Sequence, residues 1–230
     1  MLRTNLFDTL GEKFYLQQSL LSNDMELATI KLDMKFNVYA ISRNCSSIIA
    51  AISPHSFVEI WEDNLIHAEL LKTKYDPPIP SHMKVAYSWV YLWRIKPKKN
   101  LPLLTFECFL KPNQSIIDEN IESGECLFSK SFSFGKEYIS IGTEDEDSLL
   151  RRANVNDNFP LRYAKENKID YYNQNVIEST ERGIYVHLPA LKAGELAQLQ
   201  FVIAGGVDPL ANWFAADASP KEILRQAGCT

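Results

Sequence analysis

The stretch Met83-Lys-Val-Ala-Tyr-Ser-Trp-Val-Tyr-Leu-Trp-Arg-Ile-Lys96 is the most aromatic in the chain, and its alternation decides the fold class. Successive side chains of a β-strand point to opposite faces, so Met83, Val85, Tyr87, Trp89, Tyr91, Trp93 and Ile95 share one side. The other side carries Lys84, Arg94 and Lys96 towards its ends and Val90 and Leu92 in its middle, the pattern of a central strand whose second face is partly covered. An apolar row of that length is what a packed sheet face requires. We therefore read it as core in preference to an open platform stacking sugar rings or unpaired bases.

Working outward towards the N-terminus, Asp76-Pro77-Pro78-Ile79-Pro80 is a stiff connector that neither a helix nor a central ladder accommodates. Before it, 62–74 reads as a helix, and 46–52 and 56–61 as short strands about the Ser53-Pro54 turn. The unbroken alternation of Ala28, Ile30, Leu32, Met34, Phe36, Val38 and Ala40 against polar neighbours predicts a long half-buried strand. Residues 5–21 are near a helical period.

Towards the C-terminus, Pro97-Lys98-Lys99-Asn100 is a turn and 101–110 is the simplest hairpin partner for the aromatic strand. Residues 111–125, rich in Asp, Glu and Asn, read as an exposed excursion. Alternation returns over 126–141. Thr143-Glu144-Asp145-Glu146 fits a capping box for a short helix through Arg152, with acids at its start and arginines at its end. Residues 154–181 are polar, tyrosine-bearing and weakly periodic, and a loop of that length is a candidate working surface. Two strands follow, 183–189 and 196–204, and Ser219-Pro220-Lys221-Glu222 opens a C-terminal helix that Gly228 stops.

This succession predicts a β-rich α+β fold, mainly antiparallel, as a sheet or sandwich of about seven to nine strands with three or four short peripheral helices. Residues 1–230 are read as a single domain, with a sub-boundary available at the connector 76–82.

Composition narrows the function. An apolar fraction of 46% with 23% charge is ordinary for a folded chain. The balance of 24 basic to 29 acidic residues repels phosphate backbones, so nucleic acid is not the expected partner. No apolar run approaches the roughly 20 residues that span a bilayer, and Met-Leu-Arg-Thr-Asn-Leu-Phe-Asp lacks a secretory apolar segment, which predicts a cytoplasmic location. Cys45, Cys108, Cys126 and Cys229 show no paired metal-ligand spacing and read as free thiols; no metal or cofactor is expected.

The catalytic inventory is sparse. Phosphate-cradling glycine loops and the Gly-x-Ser-x-Gly elbow are absent. His67-Ala68-Glu69 has the His-x-Glu spacing of zinc deaminases without their cysteine pair, and reads as a polar edge of a helix. His187, in an apolar strand, is the histidine to watch, with Cys108 or Cys126 as a nucleophile beside it or Glu107 or Asp170 as an acid. The expected function is a non-enzymatic, cytosolic protein-binding domain, fitting an antitoxin or immunity type of role. Its contacts would be the acids Asp118, Glu119, Glu122 and Glu125 and the loop residues Arg162, Tyr163, Tyr171 and Tyr172, facing a basic partner. The alternatives are a small-molecule enzyme on a β-scaffold and a carbohydrate-binding module using the aromatic strand.

Overall fold

The computed structural model describes residues 30–37, 47–53, 55–62, 64, 66–101, 104–112, 115–124, 126–160, 176–188 and 190–229. Among them twelve strands form two antiparallel sheets, accompanied by three short helices. In chain order the elements are β1 (Ile30–Asn37), β2 (Ser47–Ser53), β3 (Ser56–Glu62), β4 (Ile66–Lys74), β5 (Tyr87–Pro97), β6 (Leu104–Pro112), β7 (Asp118–Gly124), β8 (Leu127–Ser133) and β9 (Tyr138–Glu144). Then come α1 (Glu146–Asn154), β10 (Ile177–Thr180), β11 (Gly183–Leu188), β12 (Ala197–Gly206), α2 (Pro209–Ala216) and α3 (Pro220–Ala227). The β-rich, antiparallel α+β class is as the sequence predicts, with more strands.

The aromatic segment supplies β5, in the middle of an eight-stranded sheet ordered β2-β3-β4-β5-β12-β9-β8-β7. On its odd face Tyr91, Trp93 and Ile95 are buried, and Tyr87 and Trp89 pack against them. Burial pushes the Tyr91 hydroxyl well above its ordinary pKa. This face meets the four-stranded sheet β1-β6-β11-β10, which contributes Phe106, Cys108, Leu110, Ile184, Val186 and Leu188 to a shared core. The even face is closed by α3, where Ile223 and Ala227 pack with Val90, Leu92, Leu71 and Val202. A central strand covered on both sides reads as near-continuous apolar sequence, which is why Val90 and Leu92 interrupt the polar side of the alternation.

Three local expectations are corrected. Ile66–Lys74, within the expected helix, is a strand: β4 lies between β3 and β5, and a run of helix formers yields to the two ladders available to it. Residues 104–112 are not the hairpin partner of the aromatic strand; β6 pairs with β1 and β11 in the opposite sheet. It meets β5 across the sandwich instead, with the Trp93 and Phe106 rings 5.8 Å apart. Residues 118–124, within the expected excursion, form β7, the terminal strand beside β8. An edge strand needs no apolar face and is guarded by charge, so a polar sequence suffices there.

The caps follow their chemistry with one displacement. Asp145, not Thr143, caps α1 by accepting from the Ser148 amide at 2.8 Å. The Thr143 hydroxyl instead donates to the Gln200 carbonyl at 2.8 Å, fastening β9 to β12. Ser219 caps α3, and Gly228 ends it with φ of 80°, the left-handed geometry that glycine takes most readily. The predicted helix at 5–21 lies outside the described residues. No helix among the described residues is long and apolar enough to cross a membrane.

Candidate functional site

Helix α2 is not among the elements expected from the sequence, and it shapes the most distinctive surface. Asp208 caps it, accepting from the amides of Leu210 and Ala211 at 3.1 Å, with Pro209 at the first helical position. Its inner side is small: Ala211, Ala215 and Ala216 are buried, and Asn212 donates to the Tyr138 carbonyl at 3.0 Å. The approach to the sheet is close enough that a Cβ added to Gly142 of β9 would stand 2.7 Å from Ala216 Cβ and 3.0 Å from its carbonyl oxygen. With the small residues inside, Leu210, Trp213 and Phe214, spaced i, i+3 and i+4, form the helix's apolar side, and Trp213 is half-buried with its indole nitrogen shielded from solvent. A stripe of that spacing ordinarily packs into a core. Here Leu210 and Phe214 are exposed, and Trp213 meets the Phe214 ring edge-on at 5.0 Å.

Between α2 and β7 runs a groove of about 340 Å³. Its sheet wall is Asp118, Glu119, Asn120 and Glu122 of β7 with Ser131, Phe132, Ser133 and Tyr138 beyond, and its helix wall is Pro209, Leu210 and Trp213. The register aligns Asp118, Asn120 and Glu122 with Ser133, Ser131 and Ser129, so all six belong to one face of the sheet. The Asn120 amide donates to Glu122 at 2.8 Å, and the Ser131 and Ser140 hydroxyls share a 2.8 Å hydrogen bond.

Of the acids expected to bind a partner, Asp118, Glu119 and Glu122 are thus brought together on one exposed strand. Glu119 has another employment. It lies on the opposite face of β7, and its carboxylate is 3.0 Å from the ammonium of Lys130, which is almost wholly buried on β8. Lys130 also donates to the Thr180 carbonyl of β10 and lies over the Phe132 ring, 5.3 Å from its centroid. That arrangement ties β7 and β8 to the other sheet, so Glu119 has a structural partner. Glu125, Arg162, Tyr163, Tyr171 and Tyr172 lie outside the described residues.

The histidine and cysteine candidates are not assembled. On β11, His187 pairs in register with Thr105 while Cys108 pairs with Ile184, three residues away, so the two side chains leave opposite faces of the sheet. His187 stacks on Tyr185 and sits 3.9 Å from Glu178. Cys126 is at the β7–β8 turn, where the Arg151 guanidinium donates to its sulfur at 2.8 Å. Asp170 lies outside the described residues. His67 and Glu69 are on β4 rather than a helix, with the imidazole hydrogen-bonded to both Glu62 and Glu69. The bond to Glu69 holds that imidazole above its ordinary pKa against the opposing effect of burial, and Glu62 adds to it.

No family model matches the chain, and no curated protein does. Among solved structures it is similar to a protein described as a kojibiose phosphorylase from the human microbiome, with a TM-score of 0.44 and 6% identity over 86% of this chain and 24% of that one. It is also similar to a bacterial glucoamylase complexed with acarbose, with a TM-score of 0.42 and 11% identity over 87% of this chain and 29% of that one. The chain spans less than a third of the length of either.

The signal for α2 was present in the sequence as Asp208-Pro209 followed by Leu210, Trp213 and Phe214. A cap, an N1 proline and an i, i+3, i+4 triplet together mark a helix.

Proposed function

We propose that this chain is a protein-binding domain whose docking site is the groove between β7 and α2, and whose partner presents a basic segment bearing apolar side chains. One observation carries the reading. The exposed large apolar residues among those described are Ile117, Ile121, Val155, Val207, Leu210 and Phe214. All but Val155 lie on β7, on α2 or within a residue or two of their starts. Solvent protection of a sheet edge calls for charge alone. Leu210 and Trp213 face Asp118 and Glu122 across the groove, and apolar residues opposed to acids are the composition of an interaction surface, with apolar contact supplying affinity and charge supplying orientation and encounter rate. On this reading the domain is non-enzymatic and cytosolic.

The test is binding to immobilised peptides of matched apolar content that are basic, neutral or acidic. The basic set should bind, more weakly as salt rises. The paired substitutions Asp118→Asn with Glu122→Gln, and Leu210→Ser with Phe214→Ser, should each weaken binding while the unfolding midpoint holds. Equal binding of acidic and basic sets, or folded variants that bind like the parent, would overturn the proposal.

A further inference from the structure

We infer that the partner segment is an extended strand that adds to the open edge of β7 and alternates basic with apolar side chains, an inference that rests on the docking site proposed above. β7 ends the eight-stranded sheet, and among the described residues its outer edge pairs with no strand. An edge of this kind offers main-chain donors and acceptors to an incoming chain. The Glu119 amide is met by the Asp118 carboxylate at 2.9 Å, which leaves 120–124 as the length open for pairing.

The two faces of β7 set the pattern. One carries Asp118, Asn120 and Glu122 and continues into the groove; the other carries Glu119, Ile121 and Ser123. On the second face Glu119 is engaged by Lys130, and Ile121 is exposed. Residues of an added strand beside the first face stand within cross-strand reach of two carboxylates, where Lys or Arg is stabilised. Those beside the second face meet Ile121, where a branched apolar residue fits. Side chains of a strand alternate by two, so the segment reads basic, apolar, basic, apolar. The exposure of Ile121 follows: it is the apolar half of a pair whose other half the partner supplies.

The probe is a capped peptide as long as β7 that alternates Lys and Val, labelled at one end and followed by fluorescence anisotropy. Its controls are a block peptide of the same composition and two versions N-methylated on the backbone at every Lys or at every Val. Strand addition uses the amides of one edge only. So one methylated version should bind like the parent, while the other and the block peptide each lose roughly tenfold or more, the scale of about one net hydrogen bond. Ile121→Ser should weaken the alternating peptide without moving the unfolding midpoint. Equal binding of the block peptide, or of both methylated versions, overturns strand addition and leaves the groove as the docking site. If none of the peptides binds the folded protein, the docking site itself is refuted with it.

Discussion

Glu119→Gln should destabilise the protein, whereas Asp118→Asn and Glu122→Gln should not, although all three acids stand on the same exposed strand. The ammonium of Lys130 is almost wholly buried and its charge is met by Glu119 at 3.0 Å. Stripping the counter-charge from a fully buried ion costs about 3–5 kcal/mol. Two features reduce that here. The Glu119 side chain is 45% exposed, so water reaches the pair, and the Thr180 carbonyl still accepts from Lys130. The Phe132 ring adds a contact of about 0.5–1 kcal/mol that the substitution leaves intact. The expected loss is about 1–2 kcal/mol, or roughly 2–8 °C in melting temperature for a chain of this size. The two groove acids, with no buried counter-charge, should change stability by less than about 0.5 kcal/mol. The assay is urea unfolding of the three variants, with Lys130→Met and the Glu119→Gln/Lys130→Met double variant completing a cycle. The double variant should recover much of the loss, because an apolar group replaces a buried ion pair at small cost. If Glu119→Gln matches Asp118→Asn, or the cycle shows no coupling, the structural role given to Glu119 is wrong.

Gly142→Ala should cost about 1–3 kcal/mol by overpacking, since the new methyl meets Ala216 and the α2 backbone; an unchanged unfolding midpoint would refute the close approach. Trp93→Ala should cost about 3–5 kcal/mol, because its ring fills the space between the sheets against Phe106; a loss under about 1 kcal/mol would return the aromatic strand to the surface. His67 is held above its ordinary pKa, so it adds stability below the unfolded value of about 6.5 and loses it as pH rises through the folded value. The stability difference between the parent and His67→Gln should therefore shrink as pH rises above about 6.5, and a constant or growing difference would contradict the hydrogen bonds drawn to Glu69 and Glu62. In thiol labelling at neutral pH, Cys126 should react ahead of Cys108, which is fully buried, and of Cys229, whose thiol burial pushes up to about 11. Faster labelling of Cys108 would place it outside the core.

Sequence alone determined what neighbouring residues can enforce. Alternation located β1, β5, β8 and β9, because period two is a property of the strand itself, and the Ser53-Pro54 turn located β2 and β3. Ser219, Pro220 and Gly228 bounded α3 because caps act within one turn. The acids Asp118 and Glu122 were legible as a candidate surface from composition, before their strand was. Tertiary structure decided what depends on distant partners. Residues 66–74 carry helix formers and became β4 because β3 and β5 offered two ladders; 118–124 carry residues poor in β-propensity and became β7 because an edge demands little of them. The next strand after β5 crossed to the other sheet, since burying Phe106 against Trp93 requires facing it rather than lying beside it. The groove joins Asp118 and Glu122 to Leu210 and Trp213, from a distant part of the chain. Local rules bring no such segments together; the packing of the α2 alanines on β9 and the ladder from β9 through β8 to β7 do.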